Sequence, residues 1–438
     1  MRIDINESEI FKKLIEQNYN KQLIIPPLGI TIDSRLHKPG DIYIPLVGEN
    51  FDGHDFIPQI SKNKPSLIVS EKKISIKSVL NVKNNREFVR NITKIWRYKF
   101  NLKLVGITGS NGKTTTKDLA FHVISPSKNC FKTEKNYNTV LSSPLSFLSI
   151  TKSQKVALIE MGTNQPGEIK SICDVLQPNI GLITNISNAH TEKFNSIKNI
   201  AIEKSQLFNC LPTNGIAIVN SDDHFISKMK TNAKQITYGF NGTPEFFGEI
   251  IEDNKLLING NLIRLPYSGF SMAQNSLAVF ALSTIIGIPI NKIIKRIENF
   301  KLPTGRGQLI NRNGIKIIDD SYNANPTSMI TGLNRLIQSE SNRKIAILGD
   351  MFELGNIEKE SHEKIAKFLL NEQIDMIILI GKCMKNVQSI LNENSNSYWF
   401  ESHNKLINFL NDVIKKGDLV YVKGSRGMRM EKIIEGIN

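Results

Sequence analysis

Gly106-Ile107-Thr108-Gly109-Ser110-Asn111-Gly112-Lys113-Thr114-Thr115 is the stretch on which the reading of this chain turns. The apolar run Leu104-Val105-Gly106-Ile107 enters it as a strand, and the residues from Thr114 onward read as a helix. A strand, a Gly-rich turn and a helix in that order bring several backbone N–H groups to the positive end of the helix, where a polyphosphate can be cradled. Gly109, Ser110, Asn111 and Gly112 form the cradle, and Lys113 is placed to reach terminal phosphates. Thr114, followed by Thr115, offers a hydroxyl to Mg²⁺. The strict spacing wants a Gly where Ile107 stands, and Gly106 comes one residue early, so the loop is a variant. A bare Gly-rich turn is the competing reading, but it leaves a lysine followed by three threonines at a helix start unexplained.

Working outward, strand candidates follow at 156–160, 181–186 and 215–219 with helical segments between them, which argues a parallel sheet covered on both faces. Residues 1–98 mix short β-like runs with turns and read as a small mixed α/β domain. The chain is β-like again from about 245 to Leu265, and a helix is expected from near Ser271 through Leu282. Leu302-Pro303-Thr304-Gly305-Arg306-Gly307 then breaks the pattern as a linker. Beyond it, strands at 315–319, 344–348, 376–380 and 419–422 alternate with helical stretches such as 362–370, the pattern of a doubly wound domain. The fold class is therefore α/β in three parts, 1–98, 99–302 and 303–438, which suits 438 residues at roughly 150 per domain.

Composition excludes several classes. With 40% hydrophobic and 22% charged residues the chain is neither disordered nor a membrane protein. The net charge of +15 is spread along the length, without the interleaved basic and aromatic stripe of a nucleic-acid binder, and it suits an anionic small-molecule substrate. Cys130, Cys173, Cys210 and Cys383 are isolated, with no metal-ligand spacing, so a reducing, cytoplasmic setting is expected. The first residues lack the apolar core of a signal peptide, and the longest apolar stretch, 277–290, is interrupted by Ser283, Thr284, Gly287 and Pro289. No membrane insertion is expected.

Other candidate residues sit at strand ends, where open α/β sheets bind ligands. Glu160 closes the apolar run from Val156 and is either a Mg²⁺ ligand or an ordinary exposed strand-end charge. His190, in Asn188-Ala189-His190 after the next strand, is either a second metal ligand or a solvated loop histidine. Lys204, on the helix expected over 196–208, reads by itself as a surface lysine. Asn275 either faces an adenine edge or caps its helix. Arg306, between two glycines at the linker, can swing onto a phosphoryl group or be a plain turn arginine. The segments Asp319-Asp320-Ser321-Tyr322-Asn323-Ala324-Asn325-Pro326, Gly349-Asp350-Met351 and Lys423-Gly424-Ser425-Arg426 end strands that can share one crevice.

These motifs, with Asp33-Ser34-Arg35 and residues 48–56 near the start, resemble the Mur ligase family along almost the whole chain. The resemblance implies a UDP-sugar-binding first domain, a central ATP-binding domain and a Rossmann-like third domain that closes over the site. It implies an ATP-dependent amide ligase that adds D-alanyl-D-alanine to UDP-N-acetylmuramoyl-tripeptide through an acyl phosphate. The expected enzyme is a cytoplasmic monomer that uses ATP and Mg²⁺ and has no nucleic-acid partner. By the same resemblance Lys113 contacts the ATP phosphates, Thr114 and Glu160 bind one Mg²⁺, His190 binds a second, and Lys204 is carbamylated into a metal ligand. Asn275 matches an adenine contact, Arg306 and Asp320 match nucleotide contacts with Asn323 and Asn325 beside them, and Ser34, Arg35, Asn138, Lys423 and Ser425 fall to substrate. The sequence departs from the family pattern at Thr139, Asn188 and Gln206. A relative adding a single amino acid, of the muramoyl or folate type, is the nearest alternative. A nucleotide-gated RNA-binding protein is the alternative from another class.

Overall fold

The computed structural model describes every residue except 135, 188–190, 253, 392–395 and 438. Among the described residues the strands form three sheets, and the protein is mixed α/β throughout. In the first, Arg2–Asp4 pairs antiparallel with Gly29–Thr31, and Asp41–Tyr43, Leu67–Ser70 and Val79–Asn81 continue it in parallel. In the second, Cys130–Lys132, Val156–Glu160, Lys103–Thr108, Ile180–Ile183, Ile216–Asn220, Lys234–Gly239 and Phe246–Glu252 lie side by side and parallel. Lys255–Ile258 and Asn261–Arg264 extend that sheet as an antiparallel edge. In the third, Gln308–Arg312 is antiparallel to Ile315–Asp320, and Asp418–Lys423, Arg343–Gly349, Met376–Ile380 and Ser397–Phe400 follow in parallel.

The strand order explains where a site can form. Lys103–Thr108 lies between Val156–Glu160 and Ile180–Ile183, so the turn after it, Glu160 and the segment from Thr184 leave the sheet at one edge. Side chains alternate across this sheet with period two. Leu104, Ala157 and Ile159 enter the core on one face, and Val105, Ile107 and Leu158 enter the core on the other. Every residue of Val156–Glu160 is buried, as a parallel strand between two helical layers requires.

The core on the first face does not stop at residue 98. Trp96 and Phe11 belong to the same buried cluster as Phe147 and Ile172, and the helix Asn85–Arg97 lies against Ser142–Phe147 and Glu168–Leu176. The Arg97 Nε–H donates to Leu176 O at 2.9 Å across that contact.

The helix expected to end at Leu282 runs Phe270–Ile286. The polar pair that read as an interruption is absorbed: Ser283 is buried, and Thr284 Oγ1 donates back to Phe280 O at 2.9 Å. Gly287, at φ +87°, ends the helix instead. Among the described residues, no helix is long and apolar enough to cross a membrane.

Candidate active site

The phosphate loop is built from its own backbone and from the strand next door. Ser110 N–H donates to Asn185 O at 2.9 Å, Asn111 N–H to Asn185 Oδ1 at 3.0 Å, and Thr184 Oγ1 to Asn111 O at 2.6 Å. Gly109 and Gly112 both take positive φ, and each faces a wall: a Cβ at Gly109 would collide with Thr184 Oγ1, and one at Gly112 would stand 2.8 Å from Asn275 Oδ1. The helix Lys113–Ile124 starts here, its first bond running from Thr116 N to Gly112 O at 2.8 Å. The amides of Lys113, Thr114 and Thr115 have no carbonyl partner inside the helix, the arrangement that suits an anion, whereas those of Ser110 and Asn111 are already taken by Asn185. Lys113 Nζ folds over the loop, donating to Gly109 O at 2.7 Å and Ser110 O at 3.1 Å. Burial, reinforced by Arg306 and opposed by Glu160, pushes its amine down to about 8.

Glu160 is no exposed strand-end charge. It is 2% exposed; its Oε1 accepts from Asn138 Nδ2 at 2.9 Å, and its Oε2 is buried without a hydrogen-bond donor. Lys204 is no surface lysine either. It is also 2% exposed, and burial, with the Lys113 charge as the next cause, holds its amine well below the usual lysine range. Its neighbour Glu203 is buried by accepting from Gly167 N at 2.6 Å and Ile169 N at 2.8 Å, which ties the Lys204 helix to the start of Glu168–Leu176. Asn275 lies past the first turn of its helix, whose N-cap is Gly269, so it is not a cap. Its Oδ1 accepts from Thr116 Oγ1 at 3.2 Å behind the phosphate loop.

The third sheet closes over this edge. Arg306 Nη2 donates to Thr114 Oγ1 at 3.3 Å, and its guanidinium lies 3.7 Å over the Tyr322 ring. Asp320 Oδ2 accepts from Lys423 Nζ at 2.6 Å and Tyr421 Oη at 3.1 Å. Lys423 Nζ also donates to Asn323 O at 2.9 Å. Glu192 N–H donates to Glu353 O at 3.2 Å, a second bond between the central and third parts. Between them lies a cavity of about 550 Å³, the size of a nucleotide-scale ligand site.

That cavity is lined by Ser110 to Thr115, Asn138, Glu160, Lys204, Asn275, Arg306, Asp320, Asn323, Asn325 and Lys423, which lie far apart in the sequence. Gly109 shapes the loop without lining the cavity, and neither Ser34 nor Arg35 lines it. Ser34 and Arg35 form a short turn of the first sheet region, where Arg35 pairs with Asp33 at 2.7 Å. Ser425 is buried: its Oγ accepts from Phe352 N at 2.7 Å, and its N–H donates to Asp350 O at 3.0 Å. His190 lies outside the described residues. Sequence reasoning missed Lys117, Tyr267 and Arg335. Arg335 stands 4.5 Å over the Tyr267 ring and donates to Gly307 O at 2.6 Å, joining the linker to the central part. No local motif marks that pair, whereas the spacing of Lys117 from Lys113 on one helix does.

Residues 107–283 match the Mur ligase middle domain and residues 305–426 the Mur ligase glutamate ligase domain. A UDP-N-acetylmuramoyl-tripeptide–D-alanyl-D-alanine ligase of Rickettsia prowazekii is 30% identical over 95% of this chain and 99% of its own length. A crystal structure of MurF from Acinetobacter baumannii superposes with a TM-score of 0.87 at 28% identity over 97% of each chain. The structure of MurF ligase from Thermotoga maritima in complex with ADP gives 0.84 at 25% identity, over 93% of this chain and 96% of that one. With a relative of that identity aligned from end to end, and both family models seated on the sheets that enclose the cavity, the chain belongs to the Mur ligase family.

Proposed function

We propose that the chain joins D-alanyl-D-alanine to UDP-N-acetylmuramoyl-tripeptide with hydrolysis of ATP to ADP and phosphate. The observation that carries this reading is the single cavity shared by the phosphate loop and the strand ends of the third sheet, with Arg306 on Thr114 across it. The names of the relatives supply the substrates. In the division of labour, residues 1–98 take the UDP-sugar through Ser34 and Arg35, and 99–302 take ATP. Residues 303–438 hold the dipeptide with Lys423, and Ser425 fixes the loop at Phe352 beside it.

An amide forms from a carboxylate only once its oxygen has become a leaving group. The γ-phosphoryl group of ATP passes to the terminal carboxylate of the tripeptide, giving an acyl phosphate and ADP. The free amine of the dipeptide attacks that carbonyl, loses its proton, and phosphate departs as the tetrahedral intermediate collapses. Lys113 and Arg306 offset the charge of two anions brought together. Asn275 and Asp320 orient the nucleoside, with Asn323 and Asn325 fixing the loops around it. Closure of the third part keeps water from the acyl phosphate.

The donor set fits Mg²⁺. Glu160 Oε2 is a buried carboxylate oxygen with no donor of its own, Thr114 adds a hydroxyl, and hard oxygens are what this ion takes. Thr114 and Glu160 would hold one ion and His190 a second, with carbamylated Lys204 as a further oxygen ligand, and the ions would neutralise phosphate charge. Burial favours the neutral form of the Lys204 amine, the form that carbamylation needs: its nitrogen bonds the carbon of CO₂ and releases a proton, leaving an anionic oxygen donor. A ligation assay with mass detection of the UDP-muramoyl-pentapeptide tests the reading. Turnover with a single amino acid, and none with D-alanyl-D-alanine, overturns it.

A further inference from the structure

Lys117 is deeply buried near the cavity, with its side chain 1% exposed. It lies three residues after Thr114 and four after Lys113, so all three occupy one face of the phosphate-loop helix, with Lys117 one turn further in. Its Nζ donates to Thr133 O at 2.9 Å and stands 3.6 Å from both Glu160 Oε2 and Asp118 Oδ1. Asp118 has a closer partner, Lys132 Nζ at 2.9 Å, whereas Glu160 Oε2 has no hydrogen-bond donor. Thr133 ties the arrangement together, because its Oγ1 accepts from Glu160 N at 3.0 Å while its carbonyl takes Lys117.

We propose that Lys117 is a positioning residue: it holds the Glu160 carboxylate in place for a divalent cation while leaving the Oε2 lone pairs free of any hydrogen bond. The inference rests on the metal reading above and deepens it. At 3.6 Å the ammonium balances the carboxylate charge without making a hydrogen bond to Oε2. A cation so close also repels an incoming metal, so removing it has two opposed effects. Burial decides between them: at 2% exposure a carboxylate with only the Asn138 amide as partner is costly enough to leave its place. Loss of Lys117 therefore weakens metal binding.

The test is calorimetric titration of ADP into the full chain, once with Mg²⁺ and once with EDTA. The ratio of the two affinities measures the metal's share. Lys117→Met lowers that ratio by about 10- to 100-fold, the usual effect of losing a group that orients a metal ligand, and leaves the EDTA affinity within about threefold. Lys117→Gln keeps a donor for Thr133 O and drops the charge; it shows the same loss, and it decides the matter if the Met variant melts at the assay temperature. In a Glu160→Gln background, Lys117→Met leaves the ratio unchanged. A full Mg²⁺ effect in Lys117→Gln, or equal losses in both buffers, overturns the proposal. A wild-type chain whose ADP affinity ignores Mg²⁺ overturns the metal reading, and this inference falls with it.

Discussion

Asn325 and Asn111 are 214 residues apart in sequence and meet across the cavity, with Asn325 Nδ2 donating to Asn111 Oδ1 at 2.7 Å. The same Asn325 caps the helix Pro326–Gln338: its Oδ1 accepts from Ser328 N at 2.9 Å, and Ser328 Oγ accepts from Asn325 N at 3.0 Å. One amide group thus spends its oxygen on the helix and its nitrogen on the phosphate loop. The two roles can be separated. Asn325→Asp keeps an oxygen for the cap and puts a second oxygen against Asn111, while Asn325→Ala loses both. The Asp variant is expected to melt near the wild type with a KM for ATP raised about tenfold, the worth of one lost hydrogen bond. The Ala variant is expected to lose about 1 kcal/mol of stability as well. An unchanged KM in the Asp variant would mean the contact contributes nothing to nucleotide use.

Lys113→Ala should remove the ammonium while sparing the fold, because among the described residues Lys113 Nζ bonds only to carbonyls of its own loop. Ligation is expected to fall by about 10²- to 10³-fold or more, as when other groups that stabilise developing charge are deleted. The circular dichroism spectrum should stay that of the wild type. Near-normal turnover in a folded variant would sink the assignment.

What could be read in advance follows from where each signal resides. The phosphate loop is local: Gly109, Gly112, Lys113 and Thr114 lie within one turn, and strand order alone carries Glu160 to its side. Lys204 was illegible because its helix inverts the usual polarity. Ile202 is 60% exposed while Glu203 and Lys204 are buried. That inversion depends on the Gly167 and Ile169 amides, more than thirty residues upstream, which satisfy Glu203. Asn323 and Asn325 were legible only as turn formers or site residues, and the structure gives Asn325 both roles. Ser425 shows the reverse: a residue at a strand's carboxyl end that binds a neighbouring loop rather than facing the cavity.

The four free thiols offer a check on packing that is independent of catalysis. Burial pushes Cys130 and Cys383 up to about 12, whereas the neighbouring Cys173 thiol holds Cys210 below its ordinary value. At pH 8 a thiol titrating near 12 is on the order of 10⁻⁴ thiolate, and only the thiolate reacts. Iodoacetamide should therefore label Cys210 first in the native chain, with Cys173, which is buried, protected until unfolding. Peptide mapping that finds Cys383 or Cys130 modified ahead of Cys210 would contradict these environments.

The Lys204 proposal makes the most demanding prediction, because a neutral amine and a carbamate differ by one molecule of CO₂. Burial holds the amine well below the usual lysine range, which favours its unprotonated, nucleophilic form. Wild-type protein in buffer equilibrated with ¹³C-bicarbonate should give a carbamate carbon resonance that Lys204→Ala lacks. Ligation by Lys204→Ala is expected to fall by about 10- to 100-fold, the range seen when a metal site loses support. Added acetate or formate should restore part of it, since either can place an oxygen donor in the space the side chain vacates. Full activity in the unrescued variant, or no resonance in the wild type, would leave Lys204 as a buried amine without a carbamate role.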